Sequence, residues 1–107
     1  MAAPIVIVAT IVAKPGREDE VEKVFADAAP AVHAEEGCLL YALHKKTGEP
    51  GVFVMVEKWA SQEALGAHMQ SAPMQQIGAG LLDVLAGAPD IQTLEAVPAG
   101  DPELGVL

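Results

Sequence analysis

The stretch EKWASQEALGAHM, residues 57–69, sets the only tryptophan of the chain, Trp59, between a carboxylate, Glu57, and a histidine one helical segment later, His68. An indole offers a flat apolar face that stacks on aromatic ligands. An imidazole titrates near neutral pH and can take or give a proton in a reaction. Trp59 ends a predicted strand. His68 follows Ala64 and Leu65 at helical spacing, on the apolar side of the next helix. A strand end and the following helix can therefore turn both rings toward one pocket. Packing between sheet and helix accounts equally well for either residue taken alone.

Other side chains extend this set. Glu57 shares a strand face with Trp59, and if that face is buried its carboxylate needs a donor such as a histidine, a tyrosine or a backbone N–H. Phe53 lies on the same face. Tyr41 either donates a hydrogen bond to a ligand oxygen or fills core. Met74, with Met69, offers a pliable lining near His68. His44 sits near a turn, where solvent is its simple surrounding. His33 falls late in an acidic helix, on the surface, and Cys38 reads as a small core residue. The candidate catalytic residues are His68 and Trp59. The candidate substrate contacts are Tyr41, Glu57, Phe53, Met74 and His44.

Several chemistries lack their signatures. The chain has no GxGxxG dinucleotide fingerprint, no GxxxxGK[ST] phosphate loop and no GxSxG nucleophile elbow. Its three histidines show no metal-ligand spacing. No metal and no cofactor are expected. Fifteen acidic against six basic residues give a formal net charge of −9, which repels phosphate backbones and anionic lipid. Nucleic acid and membrane are thus excluded as expected partners, and a neutral apolar ligand suits this charge. Cys38 is the one cysteine, so no internal disulfide forms. The apolar N-terminal run has no basic segment before it and is too short to span a bilayer, so a cytoplasmic protein is expected.

The chain has 107 residues, 51% of them hydrophobic, a high share for a small domain standing alone. The excess calls for a cover: a second copy, a ligand, or both. Pro4 to Lys14 is apolar on both parities and reads as a central strand. Arg17 to about Glu36 carries Val21, Val24, Phe25, Ala28 and Val32 at helical spacing, with a kink or restart expected at Pro30. Cys38 to Lys46 and Val52 to Trp59 read as two strands of a hairpin, whose loop leaves the register open. Ser61 caps a short helix. Ser71-Ala72-Pro73 restarts one whose apolar stripe runs from Met74 to Leu85 before GAPD breaks it. Ile91 to Val97 is the last strand. The order is β-α-β-β-α-β, a ferredoxin-like α+β fold with an antiparallel four-stranded sheet and helices on one face. Residues 1–97 form that domain, and the Pro- and Gly-rich 98–107 is an extended tail.

The succession KPGREDEV, GCLLYALHK, FVMVEKW and SQEALGAHMQSAPM resembles the antibiotic biosynthesis monooxygenase family over about residues 5–97. The resemblance implies that the ferredoxin-like fold pairs into a dimeric β-barrel, making a homodimer. Some members of the family oxidise phenolic compounds to quinones with O2, using neither metal nor flavin. Trp59, His68, Tyr41 and Glu57 match frequent pocket positions of the family. Two departures stand out. Met74 occupies a place where the family often has a second histidine, and the chain has no asparagine, which disfavours the haem-degrading activity of some relatives. The resemblance thus implies a small cofactor-independent monooxygenase acting on an aromatic or phenolic small molecule. Two alternatives remain beside it: a non-catalytic dimeric protein that binds a small hydrophobic ligand, and an oxygen-independent isomerase or lyase acting on a small carbonyl compound.

Overall fold

The β-branched run IVIVATIV extends as β1 (Ile5–Val12), the strand on which the others are laid. In the computed structural model residues 3–107 are described, and Met1 and Ala2 lie outside the described residues. After β1 come α1 (Glu18–His33), β2 (Cys38–Lys45), β3 (Val52–Trp59), α2 (Gln62–Met69), α3 (Ala72–Leu81) and β4 (Asp90–Leu94). The sheet is antiparallel throughout, in the order β2-β3-β1-β4. This is the ferredoxin-like α+β architecture with its second helical region split in two. No helix among the described residues is long and apolar enough to cross a membrane.

The register left open by the hairpin loop is now defined. Trp59 stands opposite Ile5 on β1 and Cys38 on β2, and Glu57 stands opposite Ile7 and Tyr41. The strict period of two then sorts the side chains. Ile7, Ala9, Ile11, Tyr41, Phe53, Met55, Glu57 and Trp59 point to the helices and are buried. α1 lays Val21, Phe25, Ala28 and Val32 on that face, and α3 adds Ile77 and Leu81. The opposite face carries Val6, Val8, Val54 and Val56, which remain only partly buried. β1 is therefore central, as its composition implies, but the described chain covers it fully on one face only.

Four local expectations are revised. α1 runs through Pro30 as one helix and ends at His33. Proline removes the single N–H that would bond the carbonyl of Ala26, and the helix continues past it to His33. α3 ends at Leu81, short of GAPD. The next residues leave the helix to bond β1: Lys14 N donates to the Val84 carbonyl and Ala86 N to the Val12 carbonyl. β4 stops at Leu94 because its pairing with β1 runs only from Asp90 to Leu94. The tail is not extended throughout. Asp101 accepts through its side chain from the backbone N–H groups of Glu103 and Leu104, closing a turn. The chain end returns to the sheet, where Lys58 donates to the carbonyl of Leu107.

Gly37 joins α1 to β2 with φ of +83°, a conformation that costs any other residue steric strain. A Cβ there would also lie 2.5 Å from Cβ of Ala64 on α2. Gly48 has a similar φ of +81° with nothing near it. Gly48→Ala should lose about 1–2 kcal/mol, the strain alone. Gly37→Ala should lose clearly more in urea unfolding, because the strand–helix junction must also open. Equal losses would show that the close approach to Ala64 carries no weight.

Candidate active site

Two serines position His68. The Ser61 side chain accepts from the backbone N–H of Ala64 at 3.0 Å and starts α2. That start sets Leu65 and His68, three residues apart, on the buried side of the helix. The Ser71 hydroxyl donates to the His68 carbonyl at 2.7 Å and accepts from the backbone N–H of Met74 at 3.3 Å. One side chain thus closes the last turn of α2 and caps α3. The break between the two helices falls beside the imidazole.

His68 is 1% exposed, and its ring stacks on Trp59 with centroids 4.2 Å apart and planes inclined by 28°. Tyr41 meets it edge-on at 5.7 Å. The indole N–H of Trp59 donates to Glu57 Oε1 at 2.9 Å, so the donor that the buried carboxylate needs is its own strand neighbour. His68 Nε2 lies 3.8 Å from that same oxygen, near enough for attraction and too far for a hydrogen bond. The other ring nitrogen, Nδ1, is 2.9 Å from Glu35 Oε2. A carboxylate only accepts, so this contact requires the proton on Nδ1. In the neutral ring Nε2 is then the basic atom.

Burial dominates the electrostatics. It pushes the Glu57 carboxyl above its ordinary value, with the Trp59 N–H and His68 offsetting part of the rise. Burial, with Glu57 and Glu35 adding negative charge nearby, pushes the Tyr41 phenol far up. Among the described residues no group of three or more histidine, cysteine, aspartate or glutamate side chains is placed to hold a metal ion.

A cavity of about 250 Å³ opens between the sheet and the paired helices α2 and α3. His68, Tyr41, Glu57 and Met74 all line it, and most of the remaining wall is apolar, with Ile7, Ala9 and Ile11 of β1 and Ile77 and Leu81 of α3 among it. Trp59, a candidate to face the pocket beside His68, does not line it. It is fully buried, behind the imidazole, because its position at the strand end puts α2 directly over it. Phe53 is buried at the other end of β3, opposite Ile11 and Lys45, and does not line this cavity. His44 is also set apart. It is exposed on the opposite sheet face, paired with Val54, its Nδ1 lying 3.1 Å from the Ala42 carbonyl. Sequence reasoning missed Glu35. It sits past the end of α1, where no periodicity marks it, and only the turn through Gly37 brings it under α2. His33, read as surface, is exposed, yet its Nε2 lies 2.9 Å from the Tyr41 backbone carbonyl.

Tyr41 is the only tyrosine in the chain, so its ionisation can be followed by absorbance near 295 nm. Its folded pKa is raised above the unfolded value. The resulting stability is complete below about pH 10 and is lost as pH rises through the folded value. Two results are expected: no phenolate signal in the folded protein at pH 10.5, and a urea midpoint that falls between pH 8 and pH 10.5. Tyr41→Phe should remove that part of the fall. A phenolate signal with an ordinary midpoint near pH 10 in the folded protein would contradict the placement.

The model of the antibiotic biosynthesis monooxygenase family matches residues 4–79. The chain is 33% identical over 91 residues to "Putative monooxygenase YcnE" of Bacillus subtilis, covering 85% of this chain and 96% of that protein. It superposes on a crystal structure named as a "putative antibiotic biosynthesis monooxygenase" from Caulobacter crescentus with a TM-score of 0.84 and 39% identity, covering 90% of this chain and 92% of that one. PA3566 from Pseudomonas aeruginosa gives a TM-score of 0.84 at 29% identity, with 91% and 97% covered. Motif order, strand order and these likenesses agree, and the chain belongs to the antibiotic biosynthesis monooxygenase family.

Proposed function

We propose that this protein is a cofactor-independent monooxygenase that converts a phenolic ring to a quinone with dioxygen. One observation carries the reading: an imidazole lining an apolar cavity, with Nδ1 tied to Glu35 and Nε2 left without a hydrogen-bond partner in the protein. That is the arrangement of a general base held in one tautomer and one orientation. The name of a relative points to the same reaction class, since YcnE is called a "putative monooxygenase".

In this reading the phenolic O–H gives its proton to His68 Nε2. The imidazolium is stabilised by Glu35 at 2.9 Å and Glu57 at 3.8 Å. Tyr41 hydrogen-bonds the phenolic oxygen, and Trp59 fixes the plane of the base from behind. The electron-rich phenolate then reduces dioxygen. One oxygen atom bonds a ring carbon and becomes the second carbonyl. The other leaves as water, with the hydrogens of that carbon and of the hydroxyl. The ring supplies all four electrons, so the balance needs no outside reductant. The aliphatic walls keep bulk water from the reacting ring.

The working unit in this reading is a homodimer, formed by two open sheet faces. Val6, Val8, Val54 and Val56 make an apolar surface on that face, and an uncovered surface of this kind favours association. Val54→Lys, at the centre of the face, should give a monomer in light scattering at micromolar concentration, where the parent chain gives a dimer. A parent chain that is itself monomeric would remove the proposal.

The activity is tested in an oxygen electrode with electron-rich phenols and hydroquinones. His68→Ala should lower oxygen uptake by about 10²–10⁴-fold with an unchanged circular dichroism spectrum. Glu35→Gln should lower kcat more than it raises KM, since Glu35 acts through the base. Uptake that is unchanged in His68→Ala would reject the role of the base. Product formed without oxygen would replace the monooxygenase by an isomerase or lyase on a carbonyl compound, and binding without product by a binding protein.

A further inference from the structure

The chain has six basic residues, and their positions limit what the cavity can hold. Four are paired with acids on the outside of the molecule: Arg17 with Glu20, Lys23 with Asp27, Lys45 with Glu22 and Lys46 with Glu49. Lys58 points to the other sheet face and is held by the carbonyl of Leu107. Lys14 is exposed beyond the end of β1. None of the six lines the cavity.

Apart from the His68 imidazole, the ionisable groups that reach it are acids. Glu57 and Tyr41 line it, and Glu35 lies directly behind His68. An anionic ligand would leave water for a low-dielectric cavity in which the nearest fixed charges are carboxylates. Desolvation and repulsion would then oppose it together. An uncharged ligand bearing a hydroxyl meets neither cost, and its O–H finds an acceptor in His68 Nε2. Size adds a second limit. A cavity of ~150 Å³ takes benzene. At about 250 Å³ this one has room for a ring system somewhat larger. Its rim explains where such a ring enters: Met69 and Ile91, 51% and 55% exposed, stand at the edge of the cavity.

We infer that the cavity admits uncharged hydroxyarenes of one or two rings and excludes analogues that carry a carboxylate or a phosphate. The substrate enters neutral and is ionised only inside, its proton passing to His68. Acidic groups on a precursor must then be removed or masked before this step, by a decarboxylation, a dephosphorylation or an esterification. This inference rests on the reading of the cavity as the substrate site.

The test is titration calorimetry of the full chain under nitrogen, where no turnover occurs, with 1-naphthol, 1-hydroxy-2-naphthoate and 1-naphthyl phosphate. The expected result is binding of 1-naphthol, with both anions weaker by about tenfold or more at low salt. Ile91→Lys, which sets a cation at the rim, should tighten the naphthoate by about tenfold relative to the parent chain. Anions that bind the parent chain as tightly as 1-naphthol would overturn the inference, as would no binding of 1-naphthol at 1 mM. The outcome is separable from that of the proposed reaction. Neutral ligands that bind selectively but drive no oxygen uptake would leave the selectivity standing and remove the monooxygenase. Uptake with anions bound equally well would do the reverse.

Discussion

A carboxylate on the buried face of a sheet is the constraint around which this molecule is arranged. Glu57 points toward the helices in a row of Phe53, Met55 and Trp59. Left without a donor, it would cost several kcal/mol of lost hydration. The indole N–H two residues on supplies the bond, which places the large ring at the strand end with its face toward α2. His68 stacks on that face and turns one nitrogen to Glu57 and the other to Glu35. Carboxylate, indole and imidazole therefore hold one another, and a change to one moves the other two.

The arrangement draws on nearly every part of the fold. β3 provides Glu57 and Trp59, β2 provides Tyr41, and α2 provides His68. The turn after α1 provides Glu35. Gly37 makes that turn, and its hydrogen atom in place of a side chain lets α2 approach. Ser71 ties the end of α2 to the start of α3. The helical break that looks like an interruption in sequence is the means by which His68 and Met74 reach one cavity. Regular elements hold Glu57, Trp59, Tyr41 and His68, and a base fixed in this way would spend little free energy on reorganising in the proposed reaction.

The two sheet faces divide the work. One carries the core and the polar cluster, under the helices. The other carries Val6, Val8, Val54 and Val56, flanked by Lys58 and His44, and the described chain leaves it partly open. The acidic excess lies mainly on helix and loop surfaces. Association through that face would leave the cavity mouth between β4 and the helices on the opposite side of the sheet. In such an arrangement each subunit keeps a complete site.

Much of this was legible in the sequence, and for a physical reason. Element type follows from local periodicity, so β1, the α1 stripe, the capping by Ser61 and the restart at Ser71 could all be read from neighbouring residues. The period of two also put Glu57 and Trp59 on one face without any knowledge of their partners. The sequence alone thus determined the element order, the acidic exterior, the unusual apolar content and the pairing of an indole with an imidazole near a strand end. Contacts between residues far apart along the chain lay beyond it. The register that sets Tyr41 opposite Glu57, the burial of Trp59 behind His68 rather than in the cavity wall, and the absence of His44 and Phe53 from that wall were decided only when the sheet assembled. Glu35 is the clearest case. Its side chain follows a helix end with no pattern around it, and only the chain reversal at Gly37 brings it, across 33 residues of sequence, to the nitrogen of His68.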